Sequence, residues 1–157
     1  MKAETKEFIT SIAIPVVSGA VIGFITSGSM QQFATLEKPP LSPPGWLFPV
    51  VWTILYTAMG ISSYLIYKAD AEEHKKQQAL FLYGAQLIVN LLWPIFFFLF
   101  EWYLFSFFWL VMLWILVFLM IREFYGISRI AAYLCVPYLL WLTFAAYLNL
   151  GIWWLNR

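Results

Sequence analysis

The sequence predicts an all-α membrane protein, a bundle of five transmembrane helices, and three observations carry that prediction. Of the 157 residues, 63% are hydrophobic and only 11% are charged, where a water-soluble domain carries roughly a quarter charged residues. The nine Lys and Arg and the eight Asp and Glu cluster, leaving long stretches without charge. Five such stretches, residues 8–27, 46–67, 77–100, 102–121 and 130–154, each approach the ~20 residues with which a helix crosses a bilayer. The longest polar piece between them is 68–78, too short for a soluble unit, so the chain reads as one transmembrane domain over residues 1–157.

The first span competes with a secretory leader. A retained helix is the better reading, because Glu4 and Glu7 stand beside Lys2 and Lys6, the apolar run outlasts a leader's, and no small-residue cleavage site follows. Pro15 inside it should kink the helix or free a carbonyl. Gly19 and Gly23 form a GxxxG, which permits close helix contact within one bundle or between copies.

The connection 28–45 holds Pro39, Pro40, Pro43 and Pro44 within six residues. Proline fixes φ and lacks a donor N–H, so this part is expected to be stiff and non-helical. A plain connector would suffice on composition alone; its length favours a lid at the membrane surface, with Lys38, Pro39, Pro43, Pro44 and Gly45 as its residues.

In the second span Trp52 and Tyr56 stand at i, i+4 and share a helix face. In the third, Gln86, Asn90 and Trp93 do the same, a polar stripe that lipid would leave without partners and that should therefore turn into the bundle. Trp109 and Trp114 also lie within a span, where an interfacial role is less available. In the fifth, Tyr138, Trp141, Ala145 and Leu148 follow helical spacing, next to Pro137, which should kink that helix or free a carbonyl. Each stripe alone is more often core packing than a binding site. Three of them beneath one lid read as an apolar pocket.

Several function classes fall away. A net charge of +1 offers no basic surface for nucleic acid. One cysteine, Cys135, and one histidine, His74 in the charged 68–78 segment, supply neither a disulfide framework nor a metal site, and no cofactor is called for. No Asp, Glu, Lys, Arg or His lies inside a span. That removes the usual carriers of a proton-coupled pump and any buried general acid or base. Binding, passive passage and aromatic redox or photochemistry remain. Lys2, Lys6, Lys68, Lys75, Lys76, Arg122 and Arg129 fall on one side of the five crossings and only Lys38 and Arg157 on the other, which places the N-terminus inside and the C-terminus outside. Trp46, Trp102, Tyr103, Trp153 and Trp154 at span ends fit an interfacial belt.

Three segments together resemble the TspO/MBR family of translocator and tryptophan-rich sensory proteins. They are Leu36, Lys38-Pro39, Pro43-Pro44-Gly45, Phe48, Val51-Trp52, Leu55-Tyr56 and Gly60; then Gln86, Asn90, Trp93 and Phe96-Phe97-Phe98; then Pro137-Tyr138-Leu139, Trp141, Phe144-Ala145 and Leu148-Asn149. The resemblance implies a five-helix bundle, commonly a homodimer. It implies that porphyrins such as protoporphyrin IX or heme-like rings, sterols, and benzodiazepine-like or isoquinoline drugs bind beneath the first loop. By position Trp52, Asn90, Trp93, Trp141, Phe144 and Ala145 would line that pocket, joined from the stripes by Tyr56, Gln86, Tyr138 and Leu148. The family's sterol motif needs Lys or Arg soon after a tyrosine, and the residues following Tyr147 are uncharged as far as Leu155, which favours tetrapyrroles. The expected function is a receptor, sensor or carrier. The alternatives are light-dependent porphyrin breakdown with Trp52 and Trp141 as electron donors, and a small-molecule or sterol transporter. The expected location is a bacterial cytoplasmic membrane, although the family also occupies the mitochondrial outer membrane.

Overall fold

The computed structural model describes residues 2–157, and every regular element among them is helical. In chain order these are α1 (Ala3–Thr26), a 3₁₀ turn (Ser27–Ser29), α2 (Met30–Thr35), α3 (Leu47–Lys68), α4 (Glu73–Pro94) running on into a π turn (Ile95–Leu99), α5 (Tyr103–Ile127) and α6 (Arg129–Asn156). Five are long and apolar enough to cross a membrane: α1 with its extension to Thr35, α3, α4 with the π turn, α5 and α6. The expected five-helix bundle is the fold found.

The helices outrun the charge-free stretches. α1 starts at Ala3 and α5 continues through Arg122 and Glu123 to Ile127, because charge marks where hydrocarbon ends, while helix ends are set by caps and breakers. At the α5–α6 turn Ser128 adopts extended backbone, and its Oγ accepts a hydrogen bond from the Ala131 N–H at 3.3 Å, an N-cap. The connection read as a lid over 28–45 is non-helical only from Leu36 to Trp46. Met30–Thr35 holds no proline or glycine and forms one more helical turn and a half.

α3 packs against α1 and α6, α5 against α6 and α4, and α4 only lightly against α1 and α3. The bundle is packed tightly toward one end and leaves a cavity toward the other. Met59, Ile66, Val117, Met120, Phe124, Ala131, Cys135 and Tyr138 are buried to within 1% exposure, and most lie toward the end where α3 turns into α4. There the Ser62 hydroxyl donates to the Ala131 carbonyl and receives Cys135 Sγ at 3.3 Å. α1 is largely exposed along its whole length; among its residues only Pro15 and Thr26 are buried.

The backbones of α1 and α3 come close together at Gly60. A Cβ there would lie 2.5 Å from Ile12 Cα and 2.6 Å from the Ser11 carbonyl oxygen. Proline at 15 has no N–H to return to Ser11, so this carbonyl is the one the helix leaves free, and Gly60 lets it lie against α3. All three internal prolines, Pro15, Pro94 and Pro137, sit within continuous helix.

Candidate functional site

The cavity has a volume of about 520 Å³, within the range of small-molecule sites. Its wall is built from four of the five crossings; α5 gives nothing. α1 contributes Val16, Gly19, Ala20, Ile22, Gly23 and Thr26, and the segment after it Ser27, Met30 and Phe33. α3 contributes Phe48, Pro49, Trp52, Thr53 and Tyr56, the α4 end Asn90, Trp93, Pro94, Phe97 and Phe98, and α6 Trp141, Ala145, Leu148, Asn149 and Ile152.

Of the ten residues expected at the site, Trp52, Tyr56, Asn90, Trp93, Trp141, Ala145 and Leu148 are brought together on this wall, and Gln86, Tyr138 and Phe144 are not. Gln86 and Tyr138 lie one layer behind it, in a buried hydrogen-bonded chain. The Tyr56 hydroxyl donates to Asn90 Oδ1 at 2.6 Å, Asn90 Nδ2 donates to the Tyr138 oxygen at 2.7 Å, and the Tyr138 hydroxyl donates to Gln86 Oε1 at 2.7 Å. Gln86 Nε2 ends the chain on Met59 Sδ at 3.7 Å. Buried amides need such partners, and here they fix the rings above them: Trp52 tilts over Tyr56 with centroids 5.4 Å apart and stands edge-on to Tyr138 at 6.2 Å. Phe144 instead pairs with Trp141 and Tyr147.

Trp93 is held from the side. Its indole N–H donates to Asn149 Oδ1 at 3.0 Å, while Asn149 Nδ2 donates to the Tyr103 carbonyl at 2.7 Å, and its ring stacks on Phe97 at 5.0 Å. The π turn beginning after Pro94 divides the phenylalanine run. Phe96 packs edge-on to Phe105 and Trp109 of α5, whereas Phe97 and Phe98 join the cavity wall. π turns re-aim side chains in this way and concentrate at functional sites. The two glycines of the GxxxG also face the cavity. Gly19 lies under the Tyr56 ring, where a Cβ would collide with it, and Gly23 has open space before it.

None of Lys38, Pro39, Pro43, Pro44 and Gly45 lines the cavity. Pro39 instead fastens the lid to α6: it is buried, and a Cβ on Gly151 would lie 2.6 Å from its Cγ. The Glu37 N–H donates to Asn156 Oδ1 at 3.0 Å, Asn156 Nδ2 donates to the Glu37 carbonyl at 2.8 Å, and the Tyr147 hydroxyl donates to the Pro40 carbonyl at 2.7 Å. Gly151→Val is expected to pry this segment off α6. Hydrogen exchange at the Glu37 amide should then quicken by roughly tenfold or more while amides around Met120 keep their protection, since local opening costs less than global unfolding.

Among the wall residues that the sequence stripes did not single out are Phe33, Phe48, Phe97, Phe98 and the two glycines. Thr26, Ser27 and Thr53 direct their hydroxyls to carbonyls of their own helices or turns. The amides of Asn90 and Asn149 are likewise engaged within the protein, and no charged side chain is in the wall. The buried Trp141 indole N–H has no partner among the described residues, and apart from the tryptophan N–H groups the cavity presents aromatic and aliphatic surface whose polar groups are engaged within the protein.

Residues 11–155 match the protein-family model described as TspO/MBR family. The chain is 39% identical over 133 residues to a tryptophan-rich protein TspO of Chlorobaculum tepidum, covering 85% of this chain and 84% of that one. It is 35% identical over 147 residues to the translocator protein of Homo sapiens, covering 86% and 82%. To the tryptophan-rich sensory protein of Cereibacter sphaeroides it is 31% identical over 149 residues, covering 95% and 89%.

Proposed function

The chain belongs to the TspO/MBR family of membrane proteins, and from that premise we propose that it is a sensor or carrier that takes flat hydrophobic ligands, tetrapyrroles first among them, into its cavity. The observation that carries the reading is the wall itself: Phe48, Trp52, Trp93, Phe97, Phe98 and Trp141 around about 520 Å³, with the neighbouring amides already satisfied. Rings of this kind stack on a flat conjugated ligand, and a wall without charge selects an apolar body. The protein sits in a bacterial cytoplasmic membrane in this reading, N-terminus inside, as supported by the bias of Lys and Arg toward the loops on that side.

Dark titration of the purified protein with protoporphyrin IX, followed by tryptophan quenching, tests the reading. Wild type is expected to quench saturably, and Trp141→Ala to bind roughly tenfold more weakly, the usual scale for removing a large aromatic from a buried contact. Non-saturable quenching of the wild type would leave the fold intact and remove the ligand assignment.

One observation favours light-driven porphyrin breakdown as a second reading. Trp52 sits 5.4 Å from the Tyr56 ring, whose hydroxyl is hydrogen-bonded to Asn90, so a phenol stands behind the indole as a further electron donor. If Trp52→Phe with Trp141→Phe still loses porphyrin at the full rate under illumination, these tryptophans are not the donors.

A further inference from the structure

We infer that Lys38 is a specificity-determining residue of this cavity, a cation at its rim that selects ligands carrying a carboxylate on an apolar ring body. The inference rests on the proposed binding function and adds to it which end of the ligand is recognised. The cavity wall holds no charged side chain, and an ionised carboxylate buried there would be desolvated without a counter-charge, at heavy cost. Such a group must stay at the rim. Phe33 forms part of the wall and also borders a shallow cleft with Ser29, Gln32, Glu101 and Tyr103, so the apolar interior passes into polar surface at this ring.

Lys38 Nζ stands 4.8 Å from the centre of that ring. Its hydrogen bonds go to the carbonyls of Leu36 and Ala34 at 3.3 and 3.4 Å, long contacts that hold the ammonium in place, and an ammonium has three protons to give. Among the described residues the ion pairs are Lys68 with Glu7 and Lys76 with Glu73; Lys38 has no acidic partner. The other cation that chain alternation places at this end, Arg157, is stacked on Trp154 at 3.6 Å. Glu37 and Glu101 are the acidic groups of the neighbourhood. Glu101 borders the cleft beside Phe33 and disfavours an anion there.

The competing role for Lys38 is structural, closing the C-terminal carbonyls of α2, and the test separates the two. Protoporphyrin IX and its dimethyl ester, identical rings with and without ionised carboxylates, are titrated in the dark against wild type, Lys38→Gln and Lys38→Arg. The glutamine variant is expected to weaken the diacid by about tenfold, the scale of one charge-assisted hydrogen bond, and to leave the ester unchanged. Arginine should restore most of the loss, and the wild-type preference for the diacid should shrink at high salt. Equal weakening of both ligands, or of neither, overturns the inference while the binding function stands. Failure of wild type to bind either ligand overturns both.

Discussion

Replacing Gly60 with leucine is expected to detach α1 from the bundle and to be among the most destabilising single changes in the protein. The atoms that a side chain at 60 would meet are backbone, Ile12 Cα at 2.5 Å and the Ser11 carbonyl at 2.6 Å, so no rotamer change relieves the clash and the helix itself must move. Overpacking that displaces backbone costs about 3 kcal/mol or more, against the ~1 kcal/mol of an average substitution. The loss is compounded at Ser11, whose carbonyl loses the close face of α3 and, because of Pro15, has no helical N–H to fall back on. Unfolding in mixed detergent, followed by tryptophan fluorescence, should show a large drop in midpoint for Gly60→Leu. Ligand binding should go with it, since α1 closes one side of the cavity. Gly23→Ala is the matched control, because a Cβ there meets nothing within 4 Å; its midpoint should stay near wild type. A Gly60→Leu protein as stable as wild type would mean that α1 is not fixed by this contact.

Much of this architecture is legible in the sequence, for a physical reason. A bilayer demands long uninterrupted apolar helices, so the number of crossings can be counted from charge alone, and helical spacing brings Trp52 with Tyr56 (i, i+4), and Asn90 with Trp93 (i, i+3), to inward faces. The depth of a side chain along that inward direction is not legible. Gln86, Asn90 and Tyr138 read as one class of inward polar residue, yet Asn90 reaches the cavity wall while Gln86 and Tyr138 stay behind it. Periodicity gives a direction and not a distance. Phe97 and Phe98 depend on the π turn after Pro94, which breaks the 3.6-residue register on which face assignments rest. Phe33 lies in a segment counted as lid loop because the prolines further on dominate its composition; its own stretch, Met30–Thr35, holds only residues that a helix tolerates. The lid residues were legible as stiff chain, but their attachment to Gly151 and Asn156 pairs positions more than a hundred residues apart, which no local pattern encodes.

The second large effect is expected at Asn90, where Asn90→Leu should cost about 2–3 kcal/mol, because a buried donor deprived of its acceptor bears its full desolvation penalty. The group so deprived is the Tyr56 hydroxyl, which gives its proton to Asn90 Oδ1; the Tyr138 hydroxyl still has Gln86 Oε1. The cost is therefore asymmetric, and Tyr56→Phe combined with Asn90→Leu should be more stable than Asn90→Leu alone, a non-additivity diagnostic of contact within one network. The same pair of variants reports on function. Both amide atoms of Asn90 are engaged by tyrosines, and those tyrosines support Trp52 from its face and its edge. If Asn90 serves the site by holding this support, porphyrin affinity falls in Asn90→Leu and returns in the double variant, where the ring at position 56, now without its hydroxyl, can settle against Gly19 and Trp52 again. If instead the remaining amide N–H of Asn90 contacts the ligand, stability recovers in the double variant and affinity does not. Measuring unfolding midpoint and protoporphyrin IX affinity on the same three proteins separates a residue that shapes the wall from one that touches what the wall encloses.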